Sequence, residues 1–261
     1  MEGAPSIARI VLDSPLPQLD RLFDYRIPEP LRAVAQPGVR VIVPLRTAGR
    51  RARGYIVELA DSVDFDGPVH DLEDVVSEVP VLDPAVWRLV RRAADRAAGT
   101  ASDLLRLAVP PRMVRVEKVW LARESSPPPL PSARGLTGYD QERSRALLDA
   151  ASPAHNEHRV ALRARPHPVA LDDGTWVPAF AQTLAELAAA TLATGRSAIV
   201  SVPDYRDVAH VERAARAFLD EDLIARVDAG QSNPDRYRGF LRTLERRPVL
   251  VLGTRTAVTA P

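Results

Sequence analysis

Short alternating runs separated by proline and glycine dominate the first third of the chain. Ile7 to Leu12, Phe23 to Ile27, Val39 to Pro44 and Gly54 to Leu59 are each β-branched or alternating. Pro15, Pro17, Pro28, Pro30, Pro37 and Gly38 punctuate them, so four strands are predicted, with a weaker fifth over Leu72 to Val76. The period then changes. Val86, Leu89, Val90 and Ala93 recur at helical spacing and predict a helix over Pro84 to Ala98. Asp83 suits its cap, Pro84 its first turn and Gly99 its stop. A second, short helix is predicted over Ala101 to Ala108, before Pro110-Pro111. Residues 1–111 therefore read as a small α+β domain.

Val114 to Ala122 alternates and predicts a further strand. The run Ser125-Ser126-Pro127-Pro128-Pro129-Leu130-Pro131 reads as an extended linker, followed by a short helix near Tyr139 to Ala151. Residues 112–157 are taken as a linker region. Beyond them strands and helices alternate. Strands are predicted over His158–Ala164, Ala198–Val202, Leu223–Val227 and Val249–Leu252. Helices are predicted over Pro178–Thr194, Asp204–Leu219 and Pro234–Arg246. That order predicts an α/β lobe over 158–261, a parallel sheet with helices on both faces. A buried strand so close to Pro261 also predicts that the chain is part of a longer protein.

Composition changes this picture by exclusion. With no cysteine, disulfides, zinc–thiolate sites and thiol nucleophiles are ruled out within the span. Met1 to Ser6 has no signal-peptide pattern and no apolar run is long enough to span a bilayer, so a cytoplasmic, membrane-free protein is expected. Of 35 basic residues only Lys118 is lysine, within Val116-Glu117-Lys118-Val119-Trp120. A P-loop needs a glycine-rich turn ending in Gly-Lys-Ser/Thr, because its lysine must reach the terminal phosphates. No residue here can supply that site.

A formal net charge of +1 conceals a segregation. Between Glu29 and Glu58 lie Arg32, Arg40, Arg46, Arg50, Arg51 and Arg53 and no acid. From Glu58 to Asp83 there are nine acids and no Lys or Arg. The loop Arg46-Thr47-Ala48-Gly49-Arg50-Arg51-Ala52-Arg53 could meet a polyanion, or the two stretches could pair with each other on solvated hairpins.

Three stretches carry a resemblance to a known family. The first runs from Pro15-Leu16-Pro17 through Phe23-Asp24-Tyr25 and Pro28-Glu29 to Pro37-Gly38-Val39-Arg40-Val41. The second is Val81-Leu82-Asp83 with Trp87, Ala93-Ala94-Asp95 and Asp103-Leu104-Leu105-Arg106-Leu107-Ala108-Val109-Pro110. The third is Asp228-Ala229-Gly230-Gln231-Ser232 with Arg236-Tyr237, then Gly253-Thr254-Arg255-Thr256-Ala257-Val258-Thr259-Ala260-Pro261. In order and spacing they resemble primosomal protein N′, the PriA-type replication-restart helicases, in a degenerate branch found in some high-GC bacteria.

The resemblance implies that residues 1–111 are a 3′-end DNA-binding domain and that 158–261 are an incomplete, degenerate RecA-like lobe. Phe23 and Asp24 would line the pocket for a 3′ terminus, the ring stacking a base and the carboxylate accepting from the 3′-hydroxyl. Phe23 and Tyr25 could equally be one core face of a strand. The DNA-binding candidates are Phe23, Asp24, Tyr25, Arg46, Gly49, Arg50, Arg51, Arg53 and Arg255; Arg255 could also be a plain strand-to-loop turn. The chain departs from the family at Glu73, where a pocket lysine is usual, and over 112–157, where a winged helix is reduced or lost. It departs again over Arg163 to Asp173, where prolines and Asp172-Asp173 replace a nucleotide loop.

The implied function is binding of forks and single-stranded 3′ ends of DNA during restart of stalled replication, helping to reload the replicative helicase without helicase activity. Primosome and replisome proteins are the implied partners. No catalytic, cofactor or metal residue is expected in this chain; the family's zinc and magnesium motifs would lie beyond Pro261. Two other readings stay open: an active ATP-dependent 3′-to-5′ helicase, and a primosome interaction scaffold. His155 and His158 lack a third ligand for a metal, and Asp172-Asp173 reads as a turn before Gly174.

Overall fold

A computed structural model describes residues 6–45, 50–63, 67–123, 128–132, 135–150 and 159–261. The chain divides into two compact units, Met1–Val109 and Pro110–Ala260.

In the first unit, β1 (Ile7–Leu12), β2 (Leu22–Arg26), β3 (Arg40–Pro44), β4 (Arg51–Ala60) and β5 (Asp74–Ser77) form an antiparallel sheet of order β2-β1-β4-β3-β5. The two ends of that order come together. The Arg26 amide donates to His70 O and the Leu72 amide donates to Arg26 O, each at 2.9 Å. The sheet therefore curls on itself, and Ile10, Leu12, Tyr25, Val39, Val41, Val43, Ile56 and Leu72 fill its interior. Gly54, opposite Leu12, is required where β4 approaches β1 closely: a Cβ there would stand 2.5 Å from Val11 O.

Two helices follow, α1 (Pro84–Ala97) and α2 (Ala101–Ala108). Asp83 caps α1 by accepting from the Ala85 amide at 2.6 Å. The left-handed residue that ends α1 is Ala98 (φ 50°), one position before the glycine that the pattern singled out. The β1–β2 connection is fastened to these helices by two aspartates. Asp13 accepts from Ser102 at 3.1 Å and Arg106 at 2.8 Å. Asp20 accepts from the Ala101 amide at 2.9 Å and Arg91 at 2.8 Å.

The second unit begins with α3 (Val114–Leu121), where a strand was expected. Its inward positions are Met113, Val116, Glu117 and Trp120, a helical spacing that the exposed Val114, Val119 and Leu121 disguise as alternation. Glu117 is only 1% exposed. It accepts from Arg112 at 2.8 Å and from the Tyr237 hydroxyl, so the buried charge is paired. Trp120 Nε1 donates to Glu245 at 3.1 Å and Arg123 pairs with Asp222 at 2.6 Å. Residues 112–123 of the stretch read as a linker are thus built into this unit.

Next come α4 (Gln141–Ala150), the hairpin β6 (Pro168–Ala170) and β7 (Trp176–Pro178), and α5 (Ala179–Ala193). No strand forms over the described part of the predicted 158–164; the pairing that does form lies at 168–178, where Asp172-Asp173-Gly174 make the turn. The remaining elements are β8 (Ala198–Ser201), α6 (Tyr205–Ala215), β9 (Ile224–Arg226), α7 (Asn233–Thr243) and β10 (Leu250–Gly253). The sheet is parallel, of order β8-β10-β9. Leu250, Leu252 and Val200 pack with Ala185, Ala188 and Leu192 of α5 and Val208 and Val211 of α6. Val251 and Ala225, on the opposite face by strand alternation, are also buried, and α7 lies against β9.

Candidate nucleic-acid interface

The candidates Phe23, Asp24 and Tyr25 lie in succession on β2, at one end of the sheet order. Register pairs Asp24 with Arg9 and Phe23 with Ile10 of β1. Neighbouring strand residues face opposite ways, so Phe23 and Tyr25 turn inward while Asp24 turns outward. Phe23 is half-buried against the core, with the Arg21 guanidinium 4.8 Å from its ring centroid. Asp24 keeps 13% of its side chain exposed and lies 3.6 Å from Arg9. Arg9 also binds Glu58 of β4 at 2.8 Å. A carboxylate–guanidinium–carboxylate row thus crosses β2, β1 and β4 on the outer face.

Tyr25 is a correction. Only 6% of it is exposed, and its hydroxyl donates to Pro44 O at 3.0 Å. It is a core residue that ties β2 to the end of β3, and its ring does not face solvent where a base could stack.

Pro44 pairs with Arg51 across β3 and β4, and the Leu45 amide donates to Arg50 O at 2.8 Å. That contact closes the base of the β3–β4 hairpin. Arg50, Arg51 and Arg53 are exposed there, whereas Ala52 between the last two packs on the core. Arg46 and Gly49, also candidates, lie outside the described residues. Arg51 Nε meets Glu73 at 2.6 Å. The acid at the position where a pocket lysine was sought is therefore answered by an arginine of the basic loop. Both partners are solvent-accessible, so the pair is a weak one.

In the second unit Arg255 is exposed just past the carboxyl end of β10. Gly253 makes the turn possible, since a Cβ there would stand 2.4 Å from Val227 O, and the Thr256 hydroxyl donates to the same oxygen at 2.9 Å. The stretch before α5 differs from a phosphate-cradling loop. The Ala179 amide, first in the helix, donates to His167 O at 3.0 Å, and Pro178 before it has no amide hydrogen. Asp173 accepts from the Thr175 amide, which holds its carboxyl below the ordinary aspartate range.

Sequence reasoning passed over Arg9, Arg21 and Asp20. Arg9 had a legible signal, a single charge within the otherwise apolar β1. Asp20 had none, because its partners lie on α1 and α2, and Arg21 is recognisable only once its guanidinium is seen over the Phe23 ring.

Residues 9–110 match the family model of a 3′DNA-binding domain (3′BD). Over 249 residues, 94% of its length, the chain is 39% identical to the "Probable replication restart protein PriA" of Mycobacterium tuberculosis (strain CDC 1551 / Oshkosh), covering 36% of that protein. The protein of the same name from Mycobacterium leprae (strain TN) is 38% identical over 248 residues, again 94% of this chain and 36% of that protein. The Bacillus subtilis (strain 168) "Replication restart protein PriA" is 28% identical over 106 residues, 40% of this chain and 13% of that protein. The chain spans about a third of the length of the mycobacterial relatives. Residues 9–110 thus match a 3′DNA-binding domain, and across 94% of its length the chain is similar to replication restart protein PriA.

Proposed function

We propose that this chain recognises the free 3′ end of a nascent DNA strand at stalled forks and acts in replication restart in the cytoplasm without unwinding DNA itself. The observation that carries the reading is the 3′DNA-binding domain match over residues 9–110, with Phe23 and Asp24 flanking the outer edge of β2. The half-buried Phe23 ring offers a base a stacking surface, and Arg21 beside it adds a planar cation. Asp24 would accept from a 3′-hydroxyl and repel a 3′-phosphate. The hairpin arginines would hold phosphates behind the terminus, with Tyr25 in support from the core. The PriA names of the relatives favour primosome and replisome proteins as partners.

Absence of helicase activity is part of the proposal. It is supported by the lack of a Gly-Lys-Ser/Thr turn and by the occupied first amide of α5. The parallel sheet would then be a RecA-like lobe that keeps the shape of a motor without its phosphate site.

Fluorescence anisotropy with single strands ending in 3′-hydroxyl or 3′-phosphate tests the reading. The hydroxyl end is expected to bind more tightly. Asp24→Asn removes the repulsion and should bring the two affinities together. Phe23→Ala should weaken both by about 1–3 kcal/mol, the worth of one stacked base. Equal binding of both ends by the unaltered chain would overturn it. Adding Mg-ATP should leave the melting temperature unchanged; a clear upward shift would restore the helicase reading.

A further inference from the structure

Helix α1 carries a line of cations that the 3′-end site does not use. Arg88, Arg92 and Arg96 recur every four residues on its exposed side. Among the described residues none of the three makes an ion pair or side-chain hydrogen bond; the nearby Asp95 is taken by Arg91 at 2.7 Å and Asp83 by the Ala85 amide. We propose that this stripe is a second DNA contact, which lies along the phosphate backbone of the duplex that ends at the 3′ terminus. The proposal rests on the 3′-end reading above.

Two observations favour a duplex. The first is spacing. Four residues of helix advance about 6 Å, while successive phosphates on one strand of a duplex, each rising about 3.4 Å and turning about a tenth of a turn, lie about 7 Å apart along the strand. Three guanidiniums at that interval can each meet a phosphate without bending either partner, and the planar fork of arginine suits phosphate oxygens. The second is the anchor. Arg91, next to Arg92, holds Asp20 at 2.8 Å, and Asp20 precedes Arg21, whose guanidinium stands over Phe23. Asp20 also accepts from the first amide of α2. The stripe is therefore fastened, through one aspartate, three residues from the candidate stacking ring.

The test uses the 261-residue chain and a hairpin duplex with one recessed 3′-hydroxyl end, titrated from low to moderate salt. Each neutralised phosphate adds about 0.9 to the slope of log affinity against log salt on duplex. Arg88→Gln, Arg92→Gln and Arg96→Gln together should flatten that slope by about two to three. Their preference for 3′-hydroxyl over 3′-phosphate on a short single strand should stay unchanged. The triple lysine variant, which keeps the charge, should restore most of the slope. An unchanged slope in the glutamine variant overturns the stripe, and so does an unchanged slope accompanied by lost binding to a hexaglutamate peptide, which would assign the stripe to an acidic protein. A flattened slope in a chain that does not distinguish the two 3′ ends would sustain the stripe and sink the pocket.

Discussion

Glu117 shows how much one residue can decide. Its carboxylate is buried between Arg112 and the Tyr237 hydroxyl, 120 positions away in sequence. Removing one donor from a buried carboxylate costs the desolvation it had offset. Tyr237→Phe should therefore lower stability by about 1–3 kcal/mol in chemical denaturation, and Glu117→Ala should cost more, since Arg112 then loses its partner. A titration effect belongs to the same scale. The Asp207 and Arg206 amides hold the Asp204 carboxyl low at the start of α6, and the Ser232 hydroxyl with Arg238 does so for Asp235 at the start of α7. A lowered folded value means a contribution fully present above the unfolded aspartate pKa, about 3.9, and lost as pH falls through the folded value. Both helix starts should hold through pH 4 and fray only in stronger acid, which carboxyl-carbon NMR titration can follow. Titration of either group at its ordinary value would refute this.

At the scale of elements, close approach outweighs propensity. Gly239 lies inside α7, where alanine would ordinarily gain about 1 kcal/mol. A Cβ there would stand 2.0 Å from Arg226 O of β9. Gly239→Ala should therefore destabilise, by about 1–3 kcal/mol or more through overpacking, and a stabilised variant would mean that α7 does not sit this close. The same contest explains α3. Its residues suit a strand by alternation, yet the buried pairing of Glu117 and the Trp120–Glu245 bond reward a helix. The short helix over 101–108 was legible to its bounds, because Thr100 caps it and proline follows it. The β6–β7 hairpin was not. Its strands are three residues each, too short for a period to register.

On the scale of the whole molecule, the boundary between units falls at Val109, not in the proline-rich stretch. The Thr137 amide donates to the buried Glu186 at 2.9 Å, and Tyr237 and Glu245 are met by Glu117 and Trp120. A piece starting at residue 158 would uncover all of these groups. Residues 110–261 should melt cooperatively by circular dichroism, and residues 158–261 should not. Equal melting of the two pieces would show that α3 and α4 are appendages.

By itself the sequence determined the periodic elements: the four main strands of the first unit, α1, α2 and the β-α alternation from residue 178 onward. Those depend on neighbours within a few residues, where spacing and capping chemistry speak directly. The family resemblance came from the same source, because its motifs sit on those elements. Tertiary structure alone decided which side each candidate faces. It turned Tyr25 into the core and Asp24 outward beside Arg9, set Arg51 on Glu73, and left Arg88, Arg92 and Arg96 without ion-pair partners among the described residues while Arg91 gripped Asp20. The physical reason is that charge pairing and burial are settled between residues 15 to 120 positions apart, and no local period records which distant group will be there.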